Sequence, residues 1–304
     1  MSHVLNGISP LPDLGVLQVE GDDAAHFLQG QLTQDFALLR PSEARLAAYC
    51  TPKGRMQASF IGFKRGDADV VLVLSRDLLE PVRKRLSMFV LRAKAKLSDA
   101  SEAFALYGLA GDAARAAAPD GDPWTRIDDG PATVIRLYPA DGQPRRLWVA
   151  PAGTPPPRAA TLDPALWQWG EVRSGIAMLT RPVAEAFVPQ MLNYESIGGV
   201  NFKKGCYPGQ EVVARSQFRG TLKRRGYLAH ADSALRAGQE VFHESDREQP
   251  CGTVAQAAAA PQGGWDAIVS IQVNAAEGGR LTIGSADGPA LAVAPAPYPL
   301  LAEV

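Results

Sequence analysis

The chain has 304 residues, more than one hydrophobic core usually supports, so two or three domains are expected. Hydrophobic residues make up 46% and charged residues 21%, the balance of a folded globular protein, and a net charge of -1 excludes a global pull towards nucleic acid or membrane. Three cysteines, at 50, 206 and 251, form no CxxC pair and no zinc spacing; their odd number argues against a disulfide framework and for a reducing cytoplasm. The N-terminal MSHVLNGISPLPDLG lacks a signal pattern, and no run of about 18 apolar residues occurs, so a soluble, non-exported protein is expected.

In chain order, Leu14 to Glu20 alternates apolar and polar and predicts a strand. Asp22 or Asp23 then caps a helix carrying Ala24, Ala25, Phe27, Leu28 and Leu32, up to about Gln34. His26 on that helix has no second ligand at helical spacing and reads as packed or solvent-facing. Leu46–Cys50, Met56–Phe63 and Val70–Leu74, broken at Pro52-Lys53-Gly54 and Arg65-Gly66-Asp67, predict an antiparallel meander. Asp77 to Leu91 predicts an amphipathic helix that buries Leu78, Leu79, Val82, Leu86, Phe89 and Val90 and turns a solvated Arg83-Lys84-Arg85 face outward.

A strand over Ser101–Ala110 and an alanine-rich helix over Asp112–Ala118 follow. Thr133–Tyr138 and Arg146–Val149 form a hairpin about Asp141-Gly142. Asp163-Pro164 caps a helix from Ala165 to Ser174 that carries Trp167 and Trp169 and stops at Gly175. Beyond Gly226 six short runs separated by turn residues predict a small barrel or sandwich, with a domain boundary near residue 225.

Chemistry concentrates in Asn201 to Gly220, NFKKGCYPGQEVVARSQFRG. Pro208 or Gly209 opens a short helix, so Cys206 would stand just ahead of a helix N-terminus beside Lys203 and Lys204, where dipole and cations favour a thiolate. The alternative is a small buried side chain in a tight turn, and the residues alone leave both open. Lys203, Lys204, Arg215, Arg219, Lys223, Arg224 and Arg225 face only Glu211, a local excess that suits a polycarboxylate, a phosphate or RNA, or merely solubilises a domain junction. Glu211 and Arg215 also stand at i, i+4, the spacing of a routine helix-surface pair. No P-loop, GxGxxG, HExxH or DxDxDG pattern occurs, and no Cys-His-Asn set can be assembled around His230 or His243.

Lys203–Glu211, KKGCYPGQE, resembles the signature of the YgfZ family of folate-binding proteins, relatives of the glycine-cleavage T-protein, an aminomethyltransferase. Val19–Asp35 (VEGDDAAHFLQGQLTQD), Cys50–Met56 (CTPKGRM) and Ala186–Phe202 (AFVPQMLNYESIGGVNF) resemble further family segments. The resemblance implies an α+β fold: a T-protein-like ring of three domains with antiparallel sheets and flanking helices. Residues 1–225 would form the folate-binding region as two intertwined subdomains, and residues 226–304 a C-terminal β-barrel.

It also implies tetrahydrofolate or a derivative as ligand, bound in the central opening. The implied role is support of iron–sulfur cluster assembly or repair and, indirectly, tRNA modification, with iron–sulfur proteins or assembly factors as partners. The motif residues are Lys204, Gly205, Cys206, Tyr207, Gly209, Gln210 and Glu211, with Cys206 as the reactive group at the mouth of the cavity. Trp167, Leu14, Gln190, Asn193, Lys204, Tyr207, Glu211 and Arg215 are the implied ligand contacts; Leu14 falls where the family carries an aromatic. The T-protein uses an aspartate shortly after the glycine that corresponds to Gly54, and Thr51 to Gly66 contains no acid. That departure argues against standard aminomethyl transfer and for an accessory role. A one-carbon transferase using Cys206, and an RNA-binding module using residues 203–225, stand as the alternatives.

Overall fold

The computed structural model describes residues 5–218 and 222–301. The chain starts in one sheet, builds a second, and returns to the first. Strand β1 (Gly7–Pro10) is followed by β2 (Leu14–Glu20), helix α1 (Ala24–Gln29), the meander β3 (Arg45–Cys50), β4 (Met56–Gly66) and β5 (Asp69–Ser75), then α2 (Arg76–Ser87) and β6 (Lys96–Asp99). These form an antiparallel sheet in the order β3-β4-β5-β2-β6. β7 (Phe104–Ala110), α3 (Asp112–Ala117), β8 (Arg126–Asp129), β9 (Ala132–Ala140) and β10 (Gln143–Pro151) follow, and β1 joins them in the order β1-β7-β10-β9-β8. The antiparallel α+β architecture is as expected.

Helix α4 (Pro164–Arg173) starts where Asp163 accepts a hydrogen bond from the Ala165 N–H at 2.8 Å, with Pro164 at the first helical position. It ends before Gly175, held at φ 72° with Pro297 and Tyr298 against it. After α5 (Gln210–Phe218) six strands close into a barrel in the order β11-β14-β13-β12-β15-β16: β11 (Arg224–Ala231), β12 (Glu240–His243), β13 (Gly252–Ala259), β14 (Trp265–Gln272), β15 (Leu281–Ile283) and β16 (Ala290–Ala294). Closure leaves the barrel without free sheet edges. One turn of helix, α6 (Val273–Ala276), interrupts it. Among the described residues no helix is long and apolar enough to cross a membrane.

Three expected elements differ. Helix α1 stops at Gln29 because the residues beyond it bond elsewhere: Thr33 Oγ1 donates to the Gly199 carbonyl at 2.6 Å and Gln34 Nε2 to that of Gly198 at 2.8 Å. Helix α2 stops at Ser87, so Phe89, expected in the core, is 43% exposed, and Leu91 is 87% exposed. The strand expected from Ser101 starts at Phe104, because Ser101 turns back to bond Asp99. Strands β1, β6 and β8, each four residues long, carry too short a pattern to read from sequence.

A buried ion pair ties the barrel to the rest. Arg225 on β11 meets Glu195 at 2.6 Å, with both side chains almost wholly buried. Beside it Asn193, at φ 58°, bonds both the N–H and the carbonyl of Gly226. Breaking a buried pair from one side strands the other charge and costs about 3 to 5 kcal/mol. Glu195→Ala is therefore expected to lose about 3 kcal/mol or more in urea unfolding, while Glu43→Ala, at the half-exposed pair with Arg45, should lose under about 1 kcal/mol.

Candidate functional site

Two features stand apart: a cavity and a motif cluster. The cavity, about 620 Å³, lies where the three β-assemblies meet. The β1–β2 link from Pro10 to Leu14, the start of α2, helix α4, Met178 and Thr180, and Gln256 of β13 each form part of its wall. That volume is in the range of small-molecule sites, about 300–1,000 Å³.

Trp167 and Glu171 stand one helical turn apart on α4, and Arg145 joins them. The guanidinium lies 4.5 Å from the Trp167 ring centroid and pairs with Glu171 Oε1. Burial pulls Arg145 down to about 9, still charged at neutral pH, and Glu171 supplies the counter-charge. The indole ring rests on Gly108, where a Cβ would fall 2.5 to 2.6 Å from ring atoms. With 5% of Trp167 exposed, the cavity meets an edge of the indole rather than an open face. Asp13 accepts from Gln168 Nε2 at 2.9 Å, and Asp77 holds Ser75 Oγ at 2.8 Å and the Arg181 N–H at 2.9 Å. Three carboxylates thus reach the cavity from outside the Thr51–Gly66 segment in which none was found.

The motif cluster lies elsewhere, and Lys204 organises it. Its ammonium is buried and donates to the carbonyls of Gln29 (2.6 Å), Leu32 (2.9 Å) and Gly205 (3.2 Å), with the Tyr207 ring centroid 4.5 Å away. The Gln29 and Leu32 carbonyls stand at and just past the C-terminus of α1, where backbone oxygens lack helical partners and a cation is favoured. Gly209, at φ 84°, lies against Thr51 and Gly54; a Cβ there would run into the Thr51 carbonyl and the Gly54 backbone. Gly54, at φ 71°, in turn faces Val212 of α5. Three segments far apart in sequence, near residues 29–35, 50–56 and 201–212, therefore close on one another.

Several expected ligand contacts are spent on this scaffold. Gln190 and Asn193 are 0% exposed; Gln190 Nε2 donates to the Val213 carbonyl at 2.7 Å and Asn193 holds Gly226. Lys204 and Tyr207 are buried, and Glu211 pairs with Arg215 on the exposed side of α5. None of these six lines the cavity; Trp167 and Leu14 do. Helix α5 opens at Gln210, after the left-handed Gly209, so neither Pro208 nor Gly209 is its first residue. Cys206 is exposed, the one exposed thiol among three, but it is no part of the cavity wall. Cys50 is buried, and burial pushes its thiol up to about 12.

The basic run does not form one surface. Lys204 and Arg225 are buried, Arg215 is paired, Arg224 is half-buried, and Arg219 lies outside the described residues. Asp13, Asp77, Gln168 and Glu171 were missed at sequence level. For Glu171 a signal existed, since it follows Trp167 by four residues on one helix.

No family model matches the chain. The protein named tRNA-modifying protein YgfZ from Edwardsiella ictaluri is 32% identical over 73% of this chain and 70% of its own length. The chain belongs to the YgfZ family. The Serratia proteamaculans protein of the same name is 28% identical over 99% of this chain and 95% of its own. A crystal structure of glycine cleavage system aminomethyltransferase T from Bartonella henselae superposes with a TM-score of 0.63 over 97% of this chain and 87% of its own, at 16% identity. The fold of this YgfZ-family chain is thus that of the T-protein.

Lys204→Met would leave three carbonyls without their donor and is expected to cost about 2 kcal/mol or more in urea unfolding at pH 7. Burial pulls the Lys204 ammonium down from an ordinary 10.5 to about 8, against Asp35 and Cys206, which act to raise it. Between those two values the unfolded chain holds a proton that the folded protein has released, so stability rises with pH through the window. The wild type should gain on Lys204→Met from pH 8 to pH 10, and urea titrations at both values check the sign.

Proposed function

We propose that this chain binds tetrahydrofolate or a derivative in the central cavity and supports iron–sulfur cluster assembly or repair, and through cluster enzymes tRNA modification. The observation that carries the ligand reading is the cavity itself, about 620 Å³ at the junction of three β-assemblies and walled by both Trp167 and a carboxylate. A reduced pterin presents adjacent N–H donors on its pyrimidine edge, which a carboxylate accepts in pairs. Glu171 lines the cavity and pairs through Oε1 with Arg145. Leu11, Leu14 and Met178 give the apolar wall a flat heterocycle requires. The names of the relatives, tRNA-modifying protein, accord with the downstream role.

Cys206 is assigned an outward role, towards a partner or a cluster, rather than chemistry on the bound folate. It is exposed and outside the cavity wall, which makes covalent one-carbon transfer the weaker reading. The dispersal of the 203–225 cations weakens the RNA reading in the same way.

Calorimetry with tetrahydrofolate should give binding to the wild type and unchanged affinity for Cys206→Ser. Leu14→Trp, which adds an aromatic wall, should tighten it by roughly 3- to 10-fold. No heat signal from folded protein would remove the ligand. In cells lacking the chain, cluster-dependent enzymes, tRNA-modifying ones included, should lose activity; wild type should restore it and Cys206→Ser should not.

A further inference from the structure

Helix α2 ends in a cluster of exposed apolar side chains. Its C-cap Met88 is 70% exposed and Phe89 and Leu91 also face solvent, while Leu86 and Val90 pack on the core and anchor the turn. The Phe89 N–H bonds the Leu86 carbonyl at 2.9 Å, and the Ala93 N–H bonds the Val90 carbonyl at 2.8 Å. Leu91 takes the second position of the Val90–Ala93 turn at φ 44°, a left-handed conformation that suits glycine and strains a leucine. Its side chain gains no burial to offset that strain, so neither the turn nor the core accounts for a leucine here. The base of the tip is fixed: the Lys94 N–H bonds Asp23 Oδ2 at 2.7 Å, and the Asp23 N–H bonds the Lys94 carbonyl at 3.1 Å.

Cations surround the tip. Residues 81–98 hold Arg83, Lys84, Arg85, Arg92, Lys94 and Lys96 and no acidic residue. Glu80 pairs with Arg83 and Lys84, and Asp22 reaches the exposed Lys94 at 3.4 Å. Glu20 stands across from Lys96 on the neighbouring strand without closing an ion pair. Arg85, Arg92 and Lys96 are left without a carboxylate partner among the described residues. A net charge of -1 over the whole chain leaves this local excess intact.

We propose that this tip docks the protein on an anionic lipid surface. Met88, Phe89 and Leu91 enter the boundary between headgroups and acyl chains, and Arg92, Lys96 and their neighbours meet the lipid phosphates. Buried apolar area and attraction to anionic headgroups add at such a boundary, and an apolar tip in a basic collar supplies both. The other occupants use only part of this face. A second copy of the chain would set an equal group of cations against these. RNA would meet the cations, but of the three apolar side chains only Phe89 can stack on a base. The inference does not rest on the folate reading of the cavity.

Co-sedimentation of the full chain with vesicles tests it. Binding is expected to phosphatidylcholine vesicles carrying about 30% phosphatidylglycerol, and not to phosphatidylcholine alone. It should weaken steeply as salt rises from about 0.05 M to about 0.5 M. Arg92→Gln with Lys96→Gln should cut it by about 10-fold or more, since each cation near such a surface contributes about 5-fold. Leu91→Gly relieves the strained backbone, so its thermal melt should not fall, yet it should cut vesicle binding by about 5-fold. No sedimentation with the anionic vesicles at low salt, or binding that survives both sets of substitutions, would overturn the proposal. Binding of bulk tRNA or polyglutamate, or a dimer that Leu91→Gly dissolves, in place of vesicle binding would also overturn it and give the face to another occupant.

Discussion

A single ammonium group holds the family's sequence signature in place. Lys204 sends its three donors to three backbone carbonyls, two of them at the end of α1. Carbonyls at a helix end must find a partner, and a buried lysine must find acceptors; each solves the other's problem. With Lys204 seated, Gly205 and Cys206 turn outward, Tyr207 packs inward, and Gly209 closes on the turn at Gly54. The motif is therefore a clasp that joins the β3-β4-β5-β2-β6 sheet and the end of α1 to α5 and presents one thiol to solvent.

This separates two roles that a linear motif blends together. In the proposed reading, ligand recognition falls to α4 and the β1–β2 link, which meet the barrel around the cavity. Presentation of the thiol falls to the clasp, and neither shares a wall with the other. The proposed accessory role would use both: a site for a small molecule and an outward group for a partner. The buried Arg225–Glu195 pair and the Asn193–Gly226 bonds supply rigidity where the barrel joins the scaffold.

Much of the architecture was legible. The meander, α2, α4 and the short-stranded C-terminal region announce themselves through periodicity and turn residues, because those elements bury one face or are set off by glycine and proline. Whether Cys206 is exposed or buried stayed open at that level; the structure exposes it, away from the cavity wall. What could not be read were the contacts of polar side chains across the fold. Thr33 and Gln34 look helical until the Gly198 and Gly199 carbonyls compete for them. Gln190, Asn193 and Lys204, ligand contacts by the family resemblance, each hydrogen-bond a backbone carbonyl outside the cavity wall, a pairing that no local pattern announces. The cavity's acids, Asp13, Asp77 and Glu171, come from three separate segments, and only the fold brings them together.

The division between cavity and clasp is tested most directly by a crystal structure with bound tetrahydrofolate. The account predicts the pterin between Trp167 and Met178 with its pyrimidine edge on Glu171, and Cys206 exposed and away from it. A pterin lying against Cys206 and the 203–211 loop would contradict it.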